Sequence, residues 1–439
     1  MPATKWWAPD RHRCDRSGPG KENVEHLRIL LANLGTEGDT APIIALASGL
    51  IAAGHQAVIA CDGAYTEAAE RAGIELRILS VPDAMRWEPG TTAFDAFERG
   101  RYAMSSLPGL IVPDRAWLEE LTDAAKGADL VLGGPIIYHH AMSVARSLGI
   151  PGVLAHLQPM SPSREHFPTG VGRVRRSPWA NLAGGHLIRT GHWAMTSHGL
   201  NRARHELGLP RTGNPTRHVP ALGAWSPTLS PAPRDWGPEV CRVVGQWRNK
   251  TPDFVPDEEL TGFLAAGEAP IYVGFGSMPA VNWLPRLRRT LLDALRGRRI
   301  LLSAGWAGLD DEPLPGNVLP IGHVPHDWLF PRCAAVIHHC GAGTSHAAAR
   351  AGTPTIPLPF ALDQPFWAHR LHRLGVASRP LDPRRATTSD INAAVREIET
   401  DSMAMICTKV ARAMAAENGV GSTIPILEQL AREEIPCQS

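Results

Sequence analysis

Periodic hydrophobic patterning begins at Leu27. "LRILLANL" is a short apolar run ending at Gly35, and it predicts a strand buried on both faces, as in a parallel sheet. The turn "GTEGDTAP" follows, with Asp39 where a helix N-cap should stand and Pro42 in the first turn. "IIALASGLIAAGH" reads as a helix stopped at Gly54, and "QAVIAC" as the next strand. The rhythm continues through the strands "IELRILS" and "ADLVLGG", the helix "HHAMSVARSLG" and the strand "PGVLAHL". Alternating β and α units imply an α/β protein with a parallel, doubly wound sheet.

The stretch 158–235 breaks this rhythm. It is rich in Pro, Gly, Arg, His and Trp with poor periodicity, which predicts irregular segments and helices over the first domain. "SPTLSPAPRDWGP" (226–238) repeats Pro and Ser without a hydrophobic period and marks a linker. A second β/α series follows. "PIYVGFGS", "RRILLSAG", "NVLPIGHVP" and "TPTIPLPF" read as strands with their turns, "WLPRLRRTLLDALRG" as a helix, and "AAVIHHCGAGTSHAAARAG" as strand, Gly-rich loop and helix. Two helical stretches, "DINAAVREIE" and roughly 402–434, close the chain. The organisation expected is an N-terminal extension (1–25), a first Rossmann-like domain (26–225), the linker (226–238), a second Rossmann-like domain (239–415) and a terminal helix (416–439). Two tandem nucleotide-type domains place a ligand in the cleft between them.

Composition narrows the function classes. The 439 residues exceed one ordinary core, and 44 basic against 43 acidic residues leave a net charge of +1. That balance gives no electrostatic case for a nucleic-acid polymer or an anionic membrane. No apolar run reaches the roughly 18 residues of a membrane span, so stable membrane insertion is not expected. Residues 1–25 carry charges and Trp6 and Trp7 but no apolar h-region, so they are read as a disordered extension rather than a signal peptide. Cys14, Cys61, Cys241, Cys333, Cys340, Cys407 and Cys437 show no CxxC pair and no zinc spacing. They fit free thiols in a reducing cytoplasm.

The most informative chemistry lies in "AVIHHCGAGTSHAAARAG" (335–352). An apolar strand runs into His338 and His339. Gly341, Ala342 and Gly343 let the backbone approach a ligand, and Thr344 and Ser345 open an Ala-rich helix. Its N-terminus offers free N–H groups and partial positive charge suited to a diphosphate, with His339 as a further donor. The alternative is a plain strand-to-helix turn whose glycines serve packing. A dinucleotide loop would need G-x-G-x-x-G, and His346 stands in place of the third glycine. "GFGSM" (274–278) is a second anion candidate, or a tight turn. No D-x-D motif and no His/Cys cluster with metal spacing occurs.

"HHCGAGT…RAGTPTIPLPFALDQPFWAHRL" resembles the donor-binding signature of family 1 glycosyltransferases of GT-B fold, closest to sterol glucosyltransferases and the actinobacterial enzymes that glycosylate antibiotics. "LANLGTEGDTAPIIALASGLIAAGH", "IPGVLAHLQPMSP", "IYVGFGSMP", "LLSAGW" and "HVPHDWLFPRCAAVIHH" resemble further segments of that family, in the same order. The resemblance covers about 27–160 and 238–430. It implies two Rossmann-like β/α/β domains facing across a cleft, with the last helix crossing back to the first.

The resemblance also implies roles. Asp39 matches the family's general base, and the chemistry agrees, since an attacking hydroxyl must lose its proton to a group within hydrogen-bond reach; the alternative is a helix cap. Asp363 and Gln364 match the acid–Gln pair that holds the donor sugar, or cap the loop before Pro365. Ser277, His339, Gly341, Ala342, Gly343 and Thr344 match the diphosphate contacts. His323, Val324 and His326 fall where the family binds base and ribose, and Trp306 offers a face for the base. One departure is Ala347, where plant members carry a Glu for the ribose.

The implied reaction is a single inverting displacement that needs no metal or other cofactor. It forms a β-glycoside, with UDP-glucose as donor and a hydroxylated small-molecule natural product as acceptor. A dTDP-deoxysugar donor and a sterol or lipid acceptor are the alternatives. Candidate acceptor lining comes from 82–115 and 158–195, with Trp87, Phe94, Tyr102 and Met104 as an aromatic wall beside Tyr138 and His139, or as core packing. A homodimer is compatible with the sequence. Competing readings are a UDP-sugar epimerase, a catalytically silent partner protein and a dinucleotide-dependent oxidoreductase. The presence of Asp39 and the Asp363–Gln364 pair argues against the silent partner, and the missing G-x-G-x-x-G against the oxidoreductase.

Overall fold

The computed structural model describes residues 26–81, 114–166, 169, 177–249, 254–276, 283–303 and 314–432. The extension 1–25 and the residues Trp87, Phe94, Tyr102, Met104, Ser277 and Trp306 lie outside the described residues.

The first sheet holds β1 (Arg28–Ala32), β2 (Gln56–Cys61), β3 (Glu75–Ile78), β4 (Leu130–Gly133), β5 (Gly152–His156), β6 (Ala221–Gly223) and β7 (Arg242–Val243), in the order β3-β2-β1-β4-β5-β6-β7. All its pairings are parallel, with Ile29 facing both Ala57 and Leu130. The apolar run of β1 is explained by burial on both faces. Leu30 and Ala32 join one core with Trp117, Leu121 and Met142. Ile29 and Leu31 join the other with Ile43, Leu46 and Leu427. The helices are α1 (Glu37–Ala52), α2 (Thr66–Arg71), α3 (Asp114–Ala124), α4 (Tyr138–Leu148) and α5 (Pro178–Glu206). β7 lies beyond the Pro-rich stretch 226–238 yet still pairs with β6, so the first sheet is completed by chain that follows that stretch.

Two details of α1 differ from expectation. Thr36, not Asp39, is the N-cap, and Asp39 occupies the third helical position. Pro42 lies inside the helix rather than in its first turn. The "GTEGD" segment therefore forms a capping box, in which the N3 acid reaches back to the cap residue.

The second sheet holds β8 (Ile271–Gly274), β9 (Ile300–Ser303), β10 (Val318–Ile321), β11 (Ala335–His338) and β12 (Thr355–Pro357), in the order β10-β9-β8-β11-β12, again all parallel. Around it stand α6 (Glu258–Ala265), α7 (Leu284–Ala294), α8 (His326–Leu329), α9 (Ala342–Ala351), α10 (Gln364–Leu374), α11 (Thr388–Ile398) and α12 (Asp401–Ala415).

The final helix, α13 (Gly419–Arg432), returns to the first domain. Ile426, Leu427 and Leu430 pack into the core under β1. Trp247 Nε1 donates to Thr423 Oγ1 at 2.7 Å, and His55 pairs with Glu428 at 3.1 Å. Backbones meet closely here: a Cβ on Gly419 would lie 2.4 Å from the Gln246 carbonyl oxygen. No described helix is long and apolar enough to cross a membrane.

Candidate active site

In both sheets the chemistry-bearing residues follow the carboxyl ends of strands, where open α/β sheets bind ligands. The buried strand β11 ends at His338, whose Nδ1 accepts from the Cys340 amide at 3.0 Å. Cys340 then takes φ 66°, a left-handed turn that is unfavourable for a non-Gly residue. Gly341 caps α9, so the first-turn amides of Ala342, Gly343 and Thr344 have no acceptor within the helix.

The two candidate anion turns meet on one imidazole. A Cβ on Gly276 would lie 2.9 Å from His339 Cε1, and a Cβ on Gly341 would lie 2.6 Å from His339 Nε2. Gly276 also has φ 59°. Glycine is thus required on both sides of His339. Burial pushes the His339 pKa down to about 4, with the nearby His326 adding to the effect. The ring is therefore neutral, and its buried Nδ1 has no partner among the described residues.

The loop after β12 supplies the acid. Leu362 has φ 57° and turns the chain into Asp363, whose Oδ2 accepts from Trp367 Nε1 at 2.8 Å. Burial raises the Asp363 pKa to about 6, opposed by Trp367 and increased by the charge of Asp39; the Ala342 amide also lowers it. Gln364 is buried, and its Oε1 accepts from the amides of Phe360 at 2.7 Å and Ala361 at 3.1 Å. The Gln carbonyl thus shapes the loop that presents Asp363.

On the facing domain, Asp39 Oδ2 accepts from both the amide and the hydroxyl of Thr36 at 2.9 Å. A Cβ on Gly35 would collide with that oxygen at 2.5 Å, and Gly35 has φ 145°. Tyr65 Oη donates to the Gly35 carbonyl at 3.1 Å and braces the same loop. Asp39 is half-buried. The surrounding protein raises its pKa by desolvation, and the two Thr36 hydrogen bonds only partly offset this.

The remaining candidates divide into two groups. His326, at the start of α8, stacks on Phe330 at 4.4 Å and meets Tyr272 edge-on, and burial lowers its pKa to about 4. Its flat face is therefore occupied by Phe330. His323 is exposed beside it, and Val324 packs on the second domain's smaller core. Tyr138 and His139 open α4. Tyr138 Oη and His192 Nδ1 share a hydrogen bond at 2.6 Å, and His139 packs against Tyr138, His192 and Trp193 with ring centroids 4.5–5.3 Å apart. Burial lowers the His139 pKa to about 3, and its Nε2 has no partner among the described residues.

Residues that sequence reasoning did not single out are Tyr65, His156 and His192. His156 ends β5, is buried, and has its pKa lowered to about 4 by desolvation. Its place at the carboxyl end of a predicted strand was the available signal. His192 lies on α5, where the sequence carries no usable period. Among the described residues no group of three or more His, Cys, Asp or Glu is placed to hold a metal.

Two parallel-sheet domains opposed across a cleft, with a Gly-rich helix N-terminus on one side and a helix-borne acid on the other, define the GT-B architecture. Residues 301–430 match the family model described as "Erythromycin biosynthesis protein CIII-like, C-terminal domain". The chain is 34% identical over 426 residues to the O-mycaminosyltylonolide 6-deoxyallosyltransferase of Streptomyces fradiae, covering 92% of this chain and 98% of that one. It is 30% identical over 431 residues to a sterol 3-beta-glucosyltransferase of Arabidopsis thaliana, covering 93% of this chain and 66% of that enzyme. The solved structure of the glycosyltransferase of kitacinnamycin superposes with a TM-score of 0.67 at 20% identity, covering 92% of this chain and 99% of that one. The chain belongs to the family 1 glycosyltransferases of GT-B fold, in the group that contains the sterol glucosyltransferases and the antibiotic glycosyltransferases.

Proposed function

We propose that the protein transfers glucose from UDP-glucose to a hydroxyl of a small-molecule natural product, with inversion and without a metal. The observation that carries this is electrostatic: Asp39 from the first domain lies close enough to Asp363 of the second for its charge to raise the Asp363 pKa. The amide of Ala342 in the first turn of α9 acts on the same Asp363 carboxyl, which supports a common site for the two acids and that helix end. Asp39 takes the proton of the acceptor hydroxyl as its oxygen bonds to the anomeric carbon. The bond from that carbon to the diphosphate breaks on the opposite face, and the electron pair leaves with the diphosphate. The amides of 342–344 and the neutral His339 meet the charge that develops there. Asp363 accepts hydrogen bonds from sugar hydroxyls. An α-linked donor then gives a β-glycoside.

A second reading changes only the donor and the acceptor. The Streptomyces fradiae relative is named for transfer of a 6-deoxyallosyl group to O-mycaminosyltylonolide, which supports the alternative of a dTDP-deoxysugar donor. The Arabidopsis relative, named for glucosyl transfer to sterols, favours UDP-glucose.

The test is to offer each donor with a pooled panel of macrolides, nucleosides and sterols in EDTA, and to read sugar adducts by mass spectrometry. Asp39→Asn is run alongside and is expected to lower the rate by at least about 100-fold with UDP or dTDP binding retained. A variant of undiminished rate removes Asp39 as the base. Adducts from the deoxysugar donor alone replace the first donor reading with the second.

A further inference from the structure

His338 is the last residue of β11, and none of the transfer chemistry above uses it. Its backbone lies opposite Gly274 of β8 on one side and Pro357 of β12 on the other, and its carbonyl accepts from the Leu358 amide at 2.9 Å. Strand alternation puts its side chain on the face of Val336, which packs in the second domain's smaller core. The residue is fully buried. Packing alone does not explain an imidazole here, because leucine would fill such a place with no polar atom to satisfy.

The ring makes a single hydrogen bond among the described residues: Nδ1 accepts from the Cys340 amide at 3.0 Å, while Nε2 has no partner. A neutral imidazole has one accepting and one donating nitrogen, so Nδ1 is bare and Nε2 carries the proton. A second proton would set an N–H against the amide. Burial, with His339 and His326 nearby, holds the His338 pKa well below the ordinary histidine value and keeps the acceptor available.

The bond runs from residue i to the amide of i+2, the closure that an Asx-turn makes with a side-chain carbonyl. The amide it satisfies belongs to a residue in a costly conformation. Cys340 has φ 66°, which a side chain with a Cβ disfavours. Glycine would take that φ freely, but the buried Cys340 side chain belongs to the same apolar cluster as Ile337 and Leu358, and glycine would leave its place empty. Directly after this turn Gly341 caps α9, and the amides of 342–344 follow without helical acceptors. The Ala342 amide also acts on Asp363, so the setting of this first turn bears on the sugar acid as well as on the diphosphate.

We propose that His338 is a positioning residue for the leaving diphosphate: its bare Nδ1 holds Cys340 in the left-handed turn and so fixes where the first-turn amides of α9 meet the phosphates. The inference rests on the donor reading of the 339–344 loop. His338 acts through the Cys340 backbone, not by contact with the ligand.

The test uses the full chain with two pairs of probes, UDP against uridine and dTDP against thymidine, and reads affinity by calorimetry. The ratio of diphosphate to nucleoside affinity, taken for the pair that the wild type binds, reports on the loop rather than on the base. His338→Asn offers a carbonyl that closes the same i to i+2 turn. His338→Gln carries its carbonyl too far along the side chain to do so, and His338→Leu offers none. The wild type is expected to prefer the diphosphate, and H338N to keep that preference within about threefold. H338Q and H338L are expected to lose about tenfold or more of it, with nucleoside affinity within about twofold of the wild type. Circular dichroism checks fold content, and if H338L does not fold, the Asn–Gln comparison decides by itself. A preference in H338Q equal to the wild type overturns the inference, as does a loss in H338N as large as in H338Q. Parallel loss of nucleoside and diphosphate affinity reduces His338 to a structural role and overturns it equally. A wild type that binds the diphosphates no better than the nucleosides overturns the donor-loop reading itself, and this inference with it.

Discussion

Asp39 and Asp363 are two carboxylates that the fold makes harder to ionise, and the protonation of each bears on a different step. Desolvation is the first cause at both positions. Because the pair is coupled, the acid limb of the rate profile belongs to both groups rather than to one. Ionised Asp39 is the competent base, and desolvation raises its pKa, so kcat/KM should rise with pH along a limb displaced above the ordinary aspartate range and then flatten. In Asp39→Asn the neighbouring charge is gone, so the midpoint for donor binding through Asp363 should move to lower pH; an unmoved midpoint removes the electrostatic link between the domains. Stability runs the other way. Asp363 has a folded pKa of about 6 against 3.8 for an unperturbed aspartate, so its contribution is fully present below pH 3.8 and is lost as pH rises through 6. Asp363→Asn keeps an acceptor for Trp367 and removes the buried charge. It should therefore be more stable than the wild type at pH 7, by on the order of 1–3 kcal/mol, with the gap closing toward pH 4. Melting curves at both pH values measure this.

At the level of elements, the terminal helix shows how tightly the end of the chain is fitted onto the first domain. Leu427 is fully buried in the first-domain core, and Leu427→Ala should destabilise the protein by about 2–5 kcal/mol. Gly419→Ala, by pressing a methyl group onto the Gln246 carbonyl, should destabilise it by about 1–3 kcal/mol. Urea midpoints separate these from the near-neutral surface change Met405→Ala, since Met405 is 68% exposed. The same contrast between buried and exposed elements explains what the sequence made legible. β1, β2, β4, β8 and β11 are unbroken apolar runs because both sheet faces are covered, so their period and Gly boundaries identify them. α5 is 29 residues long, yet only Asn181, Gly185, Leu200, Asn201, Ala203 and Arg204 are buried on it, and such a helix writes no apolar stripe. β6 and β7, of three and two residues, are too short to carry a period. The donor loop was legible because it combines a strand end, glycines and a helix start in one segment. The capping geometry of Asp39 was not, since Thr36 and Asp39 compete for the same turn and only the backbone decides between them. His346 was visible only as a departure from a glycine pattern, because its partner Ser226 lies 120 positions away.

For the whole molecule the remaining question is what neutralises the leaving diphosphate. The chain is nearly charge-balanced at +1, so no global field gathers anions. Asp39 acts electrostatically on Asp363, and a pair of acids beside a diphosphate admits two chemistries. Either the acids act separately, as base and sugar acceptor, with α9 amides and His339 carrying the charge, or both ionise and clamp a divalent cation. The two are exclusive at Asp39, because a carboxylate bound to a cation is a poor proton acceptor, and a cation would hold both pKa values down. Among the described residues no group of three or more His, Cys, Asp or Glu is placed to hold a metal, and the proposed mechanism is the first arrangement. EDTA should therefore leave kcat within about twofold, and added Mg2+ should not restore any rate to Asp363→Asn. A fall of about tenfold or more in EDTA, reversed by Mg2+, would transfer the charge-neutralising role from the N-terminus of α9 to a metal clamp and would require a different base.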